Sequence, residues 1–257
     1  MSTMINSIKK EFTTRTLVLI PIAIAINIAV GELVTRLKLP VYLDSIGTVL
    51  VGAIAGPWAG LVTGALANLI WGFINPFAAA FFYVAAVIGV MAGLAGRWGA
   101  FDRTSPRWLS VVVGAVFLFT LTLFVLSFIN LEVADGFAVF PNMADLLRQY
   151  AVVFILVIVI GGAIGYFLLQ NGAYAGIAGL ITGVVAAIIS APTAAIVFGG
   201  VTGSGTDLLV AAFRASGAGI LASALAQGTV SDPFDKMLSF MLVWAILRAL
   251  PVRFKAR

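Results

Sequence analysis

The chain contains no cysteine and no histidine, and only 10% of its 257 residues are charged. Without cysteine there is no disulfide framework, and the redox compartment leaves no trace. Without histidine, imidazole acid–base catalysis, Ser-His-Asp and Cys-His nucleophiles and the common zinc sites are excluded. Soluble domains carry about 25% charged and about 45–50% apolar residues, whereas here 62% are hydrophobic. A soluble fold of this length cannot hide that much apolar surface, so the better solvent is lipid. No polar linker divides the sequence, and residues 1–257 read as a single transmembrane domain. Met1 to Phe12 are polar and basic, with no small-residue cleavage site after the first apolar run, so no cleaved signal peptide is expected. The net charge of +5 comes from basic residues in short loops and at the two ends, a topology signal and not a nucleic-acid surface.

A membrane span needs roughly 20 mostly apolar residues. Thr16–Leu37 is the first such run. Ser45–Phe73 is apolar but broken at Gly56-Pro57, where proline removes a backbone donor; its length suits two short helices joined by a tight turn. Ala78–Gly96, Leu109–Ile129, Tyr150–Leu169 and Ala173 to about Phe198 follow, with a short last helix at Lys236–Leu250 ended by Pro251. Between them lie a basic loop with Arg97, Arg103 and Arg107 and an acidic loop with Glu132, Asp135 and Asp145. Lys9, Lys10 and Arg15, that basic loop, and the tail of Arg253, Lys255 and Arg257 place both termini in the cytoplasm. That orientation needs an even number of crossings. Thr206–Gln227 would put Arg214 near mid-membrane at a cost of several kcal/mol, so residues 200–232 read as short or re-entrant helices at the outer surface or lining a cavity. The expected fold is therefore an all-α polytopic bundle of about eight spans with a Gly-rich outer loop. The alternative treats 45–73 as one bent span.

Several motifs stand out against this background. Ala59-Gly60-Leu61-Val62-Thr63-Gly64 recurs as Ala178-Gly179-Leu180-Ile181-Thr182-Gly183, a weak parallel repeat. Gly56, Gly60 and Gly64, and Gly161 with Gly165, form small-residue stripes that suit close helix packing. Ala23, Ala25 and Ala29 with Asn27 give the first helix a small, slightly polar face that suits docking of another protein. Asp44 stands where the chain turns back into the membrane, as a helix cap or a ligand contact. Asn68, Trp71, Asn75 and Tyr83 gather at the outer end of a helix hairpin; the aromatics suit an interface, while Asn68 needs a partner. Phe198–Asp207 holds four glycines with Thr202, Ser204, Thr206 and Asp207. It lacks the lysine of a phosphate-binding P-loop and reads as a ligand-binding loop followed by Arg214. Asp232, Asp235 and Lys236 read as caps of the last helix. No paired carboxylates on one helix face, metal cluster or nucleophile–base pair suggests an enzyme.

Leu39–Asp44 leading into Gly56-Pro57-Trp58-Ala59-Gly60 and Gly64 resembles the N-terminal signature of the substrate-binding S components of energy-coupling factor (ECF) transporters. Ala25-x-x-x-Ala29 is similar to the family's docking motif, and Ser231-Asp232-Pro233-Phe234-Asp235-Lys236 with Leu250-Pro251 resembles its C-terminal end. The resemblance implies a bacterial or archaeal cell-membrane subunit that captures a vitamin-like solute from outside. It further implies a transmembrane coupling protein as partner and two cytoplasmic ATPases that power release, with no cofactor of its own beyond the ATP those partners use. Members typically have six helices, about two fewer than are read here. The competing function is a membrane ligand sensor acting through a partner, although no soluble output domain follows the spans. Substrate contact is expected from Asp44, Asn68, Trp71, Asn75, Tyr83, Thr202, Ser204, Thr206, Asp207 and Arg214, and partner docking from Ala25 and Ala29. Because the chain has no cysteine, one introduced at position 257 reports topology directly. It should react with an impermeant maleimide only after the membrane is opened, and labelling in intact cells would refute a cytoplasmic C-terminus.

Overall fold

A computed structural model describes residues 8–250 apart from 40, 131, 135, 136, 140, 142 and 216. Pro40, Asp135, Pro251 and the basic tail named above lie outside the described residues. The helices are α1 (Thr14–Arg36), α2 (Ile46–Ala55), α3 (Pro57–Trp71), α4 (Pro76–Ala80), α5 (Phe82–Trp98), α6 (Arg107–Ile129), α7 (Met143–Gln149), α8 (Ala151–Leu168), α9 (Ala173–Pro192), α10 (Asp207–Ala215) and α11 (Ile220–Ala249). A π-helical turn, Thr193–Val197, extends α9. Within the acidic loop, β1 (Glu132–Ala134) and β2 (Phe137–Val139) pair antiparallel with Val133 opposite Ala138, a small departure from an all-helical chain.

The Gly56-Pro57 break works as a reversal. Gly56 takes φ 123°, and Pro57 occupies the first helical position of α3, where its missing N–H costs nothing. The reversal lays α2 back along α3, so that Gly52 meets Gly60 and Thr48 meets Gly64. Its open end is closed by Glu11, whose Oε2 accepts the N–H groups of Trp58 (2.7 Å) and Ala59 (3.0 Å) while Oε1 pairs with Arg97 at 2.5 Å. A carboxylate at a helix N-terminus also meets the positive end of the helix dipole. Nothing in the sequence pattern singles out Glu11, because its three partners lie 47 to 86 positions away.

Interhelical approaches show which way each helix runs. The side chain of Asn27 donates to Thr48 (2.8 Å) and accepts from the Gly47 N–H (2.6 Å), which sets α1 antiparallel to α2. A Cβ on Gly60 would come within 2.4 Å of the Gly89 carbonyl oxygen, and one on Gly64 within 2.1 Å of that of Ala85, so α3 and α5 are antiparallel with backbones nearly touching. Gly114 against Gly161 does the same for α6 and α8, and Gly179 and Gly183 against Lys236 and Asp232 for α9 and α11. Eight helices thus run alternately between two ends: α1, α2, α3, α5, α6, α8, α9 and α11. One end carries the Gly56 reversal, Arg97 and Arg107, and is the basic end. Four of these helices, with α9 counted through Val197, are long and apolar enough to cross a bilayer on their own, and α8 presents Val152, Ile155, Val159 and Phe167 outward.

Two expectations need correction. Residues 220–249 form one helix of 30 residues, not a re-entrant segment followed by a short span. Ser231-Asp232-Pro233 reads as a break because proline removes a helix hydrogen bond. The helix continues across it because Gly183 lets α9 lie directly against Pro233, where any Cβ would fall within 2.4 Å of the Pro233 Cα. Asp232, Asp235 and Lys236 are consequently buried near the middle of α11 and cap nothing. The small-residue face of α1 is also divided. Ala23 and Asn27 point into the bundle, whereas Ala25 and Ala29 are exposed on the opposite side beside Ile22 and Ile26.

Towards the basic end the interior is apolar, with Val49, Leu50, Ala53, Ala92, Phe240 and Val243 in one cluster. The α6–α8 hairpin lies on the flank, joined to α11 through Phe117 and Phe124 against Phe234. Gly60→Leu should force α3 and α5 apart and destabilise the bundle by about 1–3 kcal/mol or more, as overpacking does. Thermal unfolding in detergent measures this, and an unchanged midpoint would mean that the backbones are not in contact there.

Candidate functional site

The segment between α1 and α2 returns to mid-bundle without regular structure, and its polar groups are satisfied from α11. Oδ1 of Asp235, a fully buried residue, accepts the backbone N–H groups of Tyr42 (3.1 Å) and Leu43 (2.7 Å). Leu43 has φ 49°, a left-handed conformation that is disfavoured outside glycine and is held here by that bond. Oδ2 of Asp235 binds Lys236 at 2.5 Å, and the Lys236 ammonium also reaches Asp44 and Ser45, each at 3.1 Å. Asp44 therefore pairs with a buried cation, and Ser45, which precedes α2 at its N-cap, makes no side-chain capping bond. Lys236 lies 6.0 Å from the centre of the Tyr42 ring.

A hydrogen-bond chain continues from this cluster to the far end. Gln227 donates to Ser231 (2.6 Å) and to the Tyr42 hydroxyl (3.3 Å); Ser231 donates to Asp232 (3.1 Å). Tyr42 meets Thr206 at 2.8 Å, and Thr206 meets Ser204 at 2.6 Å. The Tyr42 hydroxyl serves as a link in this chain.

Above this floor lies a cavity with about 110 Å³ open to the centres of water-sized spheres, where about 10–15 Å³ holds one water. Its walls come from the 35–44 segment, the far halves of α3 and α5 with α4 between them, the far end of α9, the 200–207 loop with α10, and α11. Of the residues expected to touch a solute, Asp44, Asn68, Trp71, Asn75, Thr202, Ser204 and Asp207 line it. Asn75 also caps α4, accepting from Phe77 N–H at 3.2 Å. The Trp71 indole donates to Glu32 (2.9 Å), which is paired in turn with Arg36. A cleft at the basic end, between Phe101, Asp102, Asn171 and Arg248, is roomier at about 200 Å³ but gathers far fewer polar groups.

Three expected residues stand elsewhere. Tyr83 bonds the Ile189 carbonyl (3.0 Å) and Thr193, tying α5 to the π-turn that ends α9. Thr206 is buried behind the wall, bonded to Tyr42 and Ser204. Arg214 is exposed on α10 and does not line the cavity. Asp207 does not pair with it. Its carboxylate folds back over its own loop and accepts from the N–H groups of Thr202 (3.0 and 3.1 Å) and Gly203 (2.8 Å). The loop read as a ligand cradle has thus turned those donors onto the protein's own anion. Tyr42, Gln227, Asp232 and Lys236 line the cavity but escape sequence reasoning. The last two are recognisable only once α11 is known to be continuous.

The fold and site define a multi-pass helical membrane protein with a cavity towards one end, lined by apolar and polar groups together. Comparison with protein-family models, curated proteins and solved structures finds no match. The clearest test of this arrangement is its central cation. Removing one partner of a buried ion pair costs about 3–5 kcal/mol, because the remaining charge is left uncompensated. Lys236→Met should destabilise the protein on that scale in thermal unfolding, and Lys236→Met with Asp235→Asn should recover part of the loss. Equal stability of Lys236→Met and the parent would show that the cluster is solvated.

Proposed function

We propose that this chain is a substrate-capture subunit of the ECF S-component type, taking a vitamin-like solute from outside a bacterial or archaeal cell membrane. The observation that carries the reading is a cavity that is blind: polar at the far end and at mid-bundle, with packed apolar side chains below it towards the basic end. A channel needs a through path. A capture subunit needs an enclosed site whose release depends on a partner. The walls of the cavity come from α1, α3, α5, α9 and α11 and the segments joining these helices, and none from residues 107–168. Setting aside the α6–α8 hairpin, which adds nothing to the wall, leaves six of the eight alternating helices, the number the resemblance implies.

Orientation follows from charge. With the basic end inside, the eight alternating helices make eight crossings, both termini are cytoplasmic and the cavity faces out. The exposed Ala25–Ala29 strip on α1 then offers a coupling protein a place for close helix approach, and cytoplasmic ATPases act through that protein.

The test begins with the small molecule that co-purifies with the protein, identified by mass spectrometry and used in radiolabelled form. Uptake should require ATP, and Ala25→Leu with Ala29→Leu should abolish uptake while the purified protein binds the molecule as tightly as before. ATP-independent uptake, or joint loss of binding and uptake, would rule this reading out.

A further inference from the structure

The cavity's charges indicate the class of solute. Four carboxylates face or border it, on Asp44, Asp207, Asp232 and Asp235, against the cations of Lys236 and, at its rim, Lys38. Lys236 is held between Asp44 and Asp235, and Lys38 is bonded to the Gly203 carbonyl. Glu32 and Arg36, beyond Trp71, neutralise each other. The Lys236 ammonium is enclosed by carboxylates, Lys38 is exposed and outside the cavity lining, and the loop N–H groups of residues 202 and 203 already bind Asp207. An anion entering the cavity meets an excess of negative charge with those donors occupied.

Two groups remain short of partners. Asp232 is buried (6% exposed) and lines the cavity, yet among the described residues its carboxylate receives one hydrogen bond, from Ser231 to Oδ1. Asn68 is 5% exposed and also lines the cavity; its amide N–H donates to the Ala78 carbonyl at 3.1 Å, while its oxygen has no donor among the described residues. Both are acceptors on a wall that carries Phe77 and Phe81. Acceptors that face a cavity gain from donors on whatever fills it, and a carboxylate held away from bulk water favours a positive charge beside it.

Building on the capture reading, we infer that the solute is an organic cation. Its ammonium-like or amidinium-like group lies against Asp232, it supplies a donor to Asn68, and an apolar or ring portion rests on Phe77 and Phe81.

The experiment is a calorimetric titration of the purified protein with three probes of one shape: benzylammonium, benzyl alcohol and benzoate. Benzylammonium should bind more tightly than either of the others by about ten- to a hundredfold, the worth of one charged hydrogen bond. Asp232→Asn should abolish that preference, and Asp232→Glu should keep part of it. The charge series on the parent protein stands even if a variant fails to fold. Benzoate or benzyl alcohol binding as tightly as the cation, absence of binding by all three, or a preference that survives in Asp232→Asn each overturns the inference. A preference for benzoate leaves the capture reading intact, since that reading fails on ATP-independent uptake instead.

Discussion

The carboxylate of Asp235 sets the geometry around it. Irregular backbone is tolerated at membrane depth only where protein satisfies its N–H and C=O groups, and the segment before α2 has two N–H groups that no helix can serve. Asp235 accepts both, and Lys236 balances its charge. Because this clamp holds residues 42–44 deep in the bundle, α2 has only 10 residues. It spans about 15 Å, half of a hydrocarbon core of about 30 Å. The cavity opens at this level, with Tyr42 and Asp44 in its wall. Its floor is the same ion cluster, so the element that makes the site possible also supplies its polar base.

Close backbone contact supplies the rest of the frame, and the two copies of the repeated hexapeptide are used alike. Gly60 and Gly64 bring α3 against α5, and Gly179 and Gly183 bring α9 against α11. In each copy the threonine between them, Thr63 or Thr182, is buried and returns its hydroxyl to the carbonyl four residues earlier at 2.7 Å. Lipid offers no hydrophobic drive for helices to associate, so small residues that permit van der Waals contact carry that role. Two hairpins built this way face each other across the cavity. They meet at its rim, where Tyr83 on α5 bonds the end of α9.

Polarity inside such a frame is expensive and therefore informative. Gln227, Ser231, Asp232, Asp235 and Lys236 occupy consecutive turns of α11, and each has a hydrogen-bond partner. The Gly-rich loop shows the opposite economy: its glycines, three of them at positive φ, let the chain curl tightly enough for Asp207 to take its donors. A loop composition that suggests anion binding here describes a loop that binds itself. Apolar surface makes up most of the cavity wall, and the proposed cationic solute follows from the carboxylates set within it.

Composition and local pattern were enough for the membrane class, the apolar runs, the Gly56-Pro57 reversal and the glycine stripes, because each rests on neighbours within one or two helical turns. They also pointed to Asp44, Asn68, Trp71, Asn75 and the 202–207 loop as polar groups needing an explanation. They failed at α11, where Pro233 and a run of charges look like a helix end. They failed too for Glu11, Arg214, and the division of Ala23 and Asn27 from Ala25 and Ala29. Except for Arg214, the deciding partner lies on another segment of the chain: Gly183 for Pro233, Tyr42 and Leu43 for Asp235, Trp58 for Glu11, Thr48 for Asn27. Whether a charged residue caps a helix or sits buried within one is settled by partners up to 193 positions away, and no local pattern carries that information.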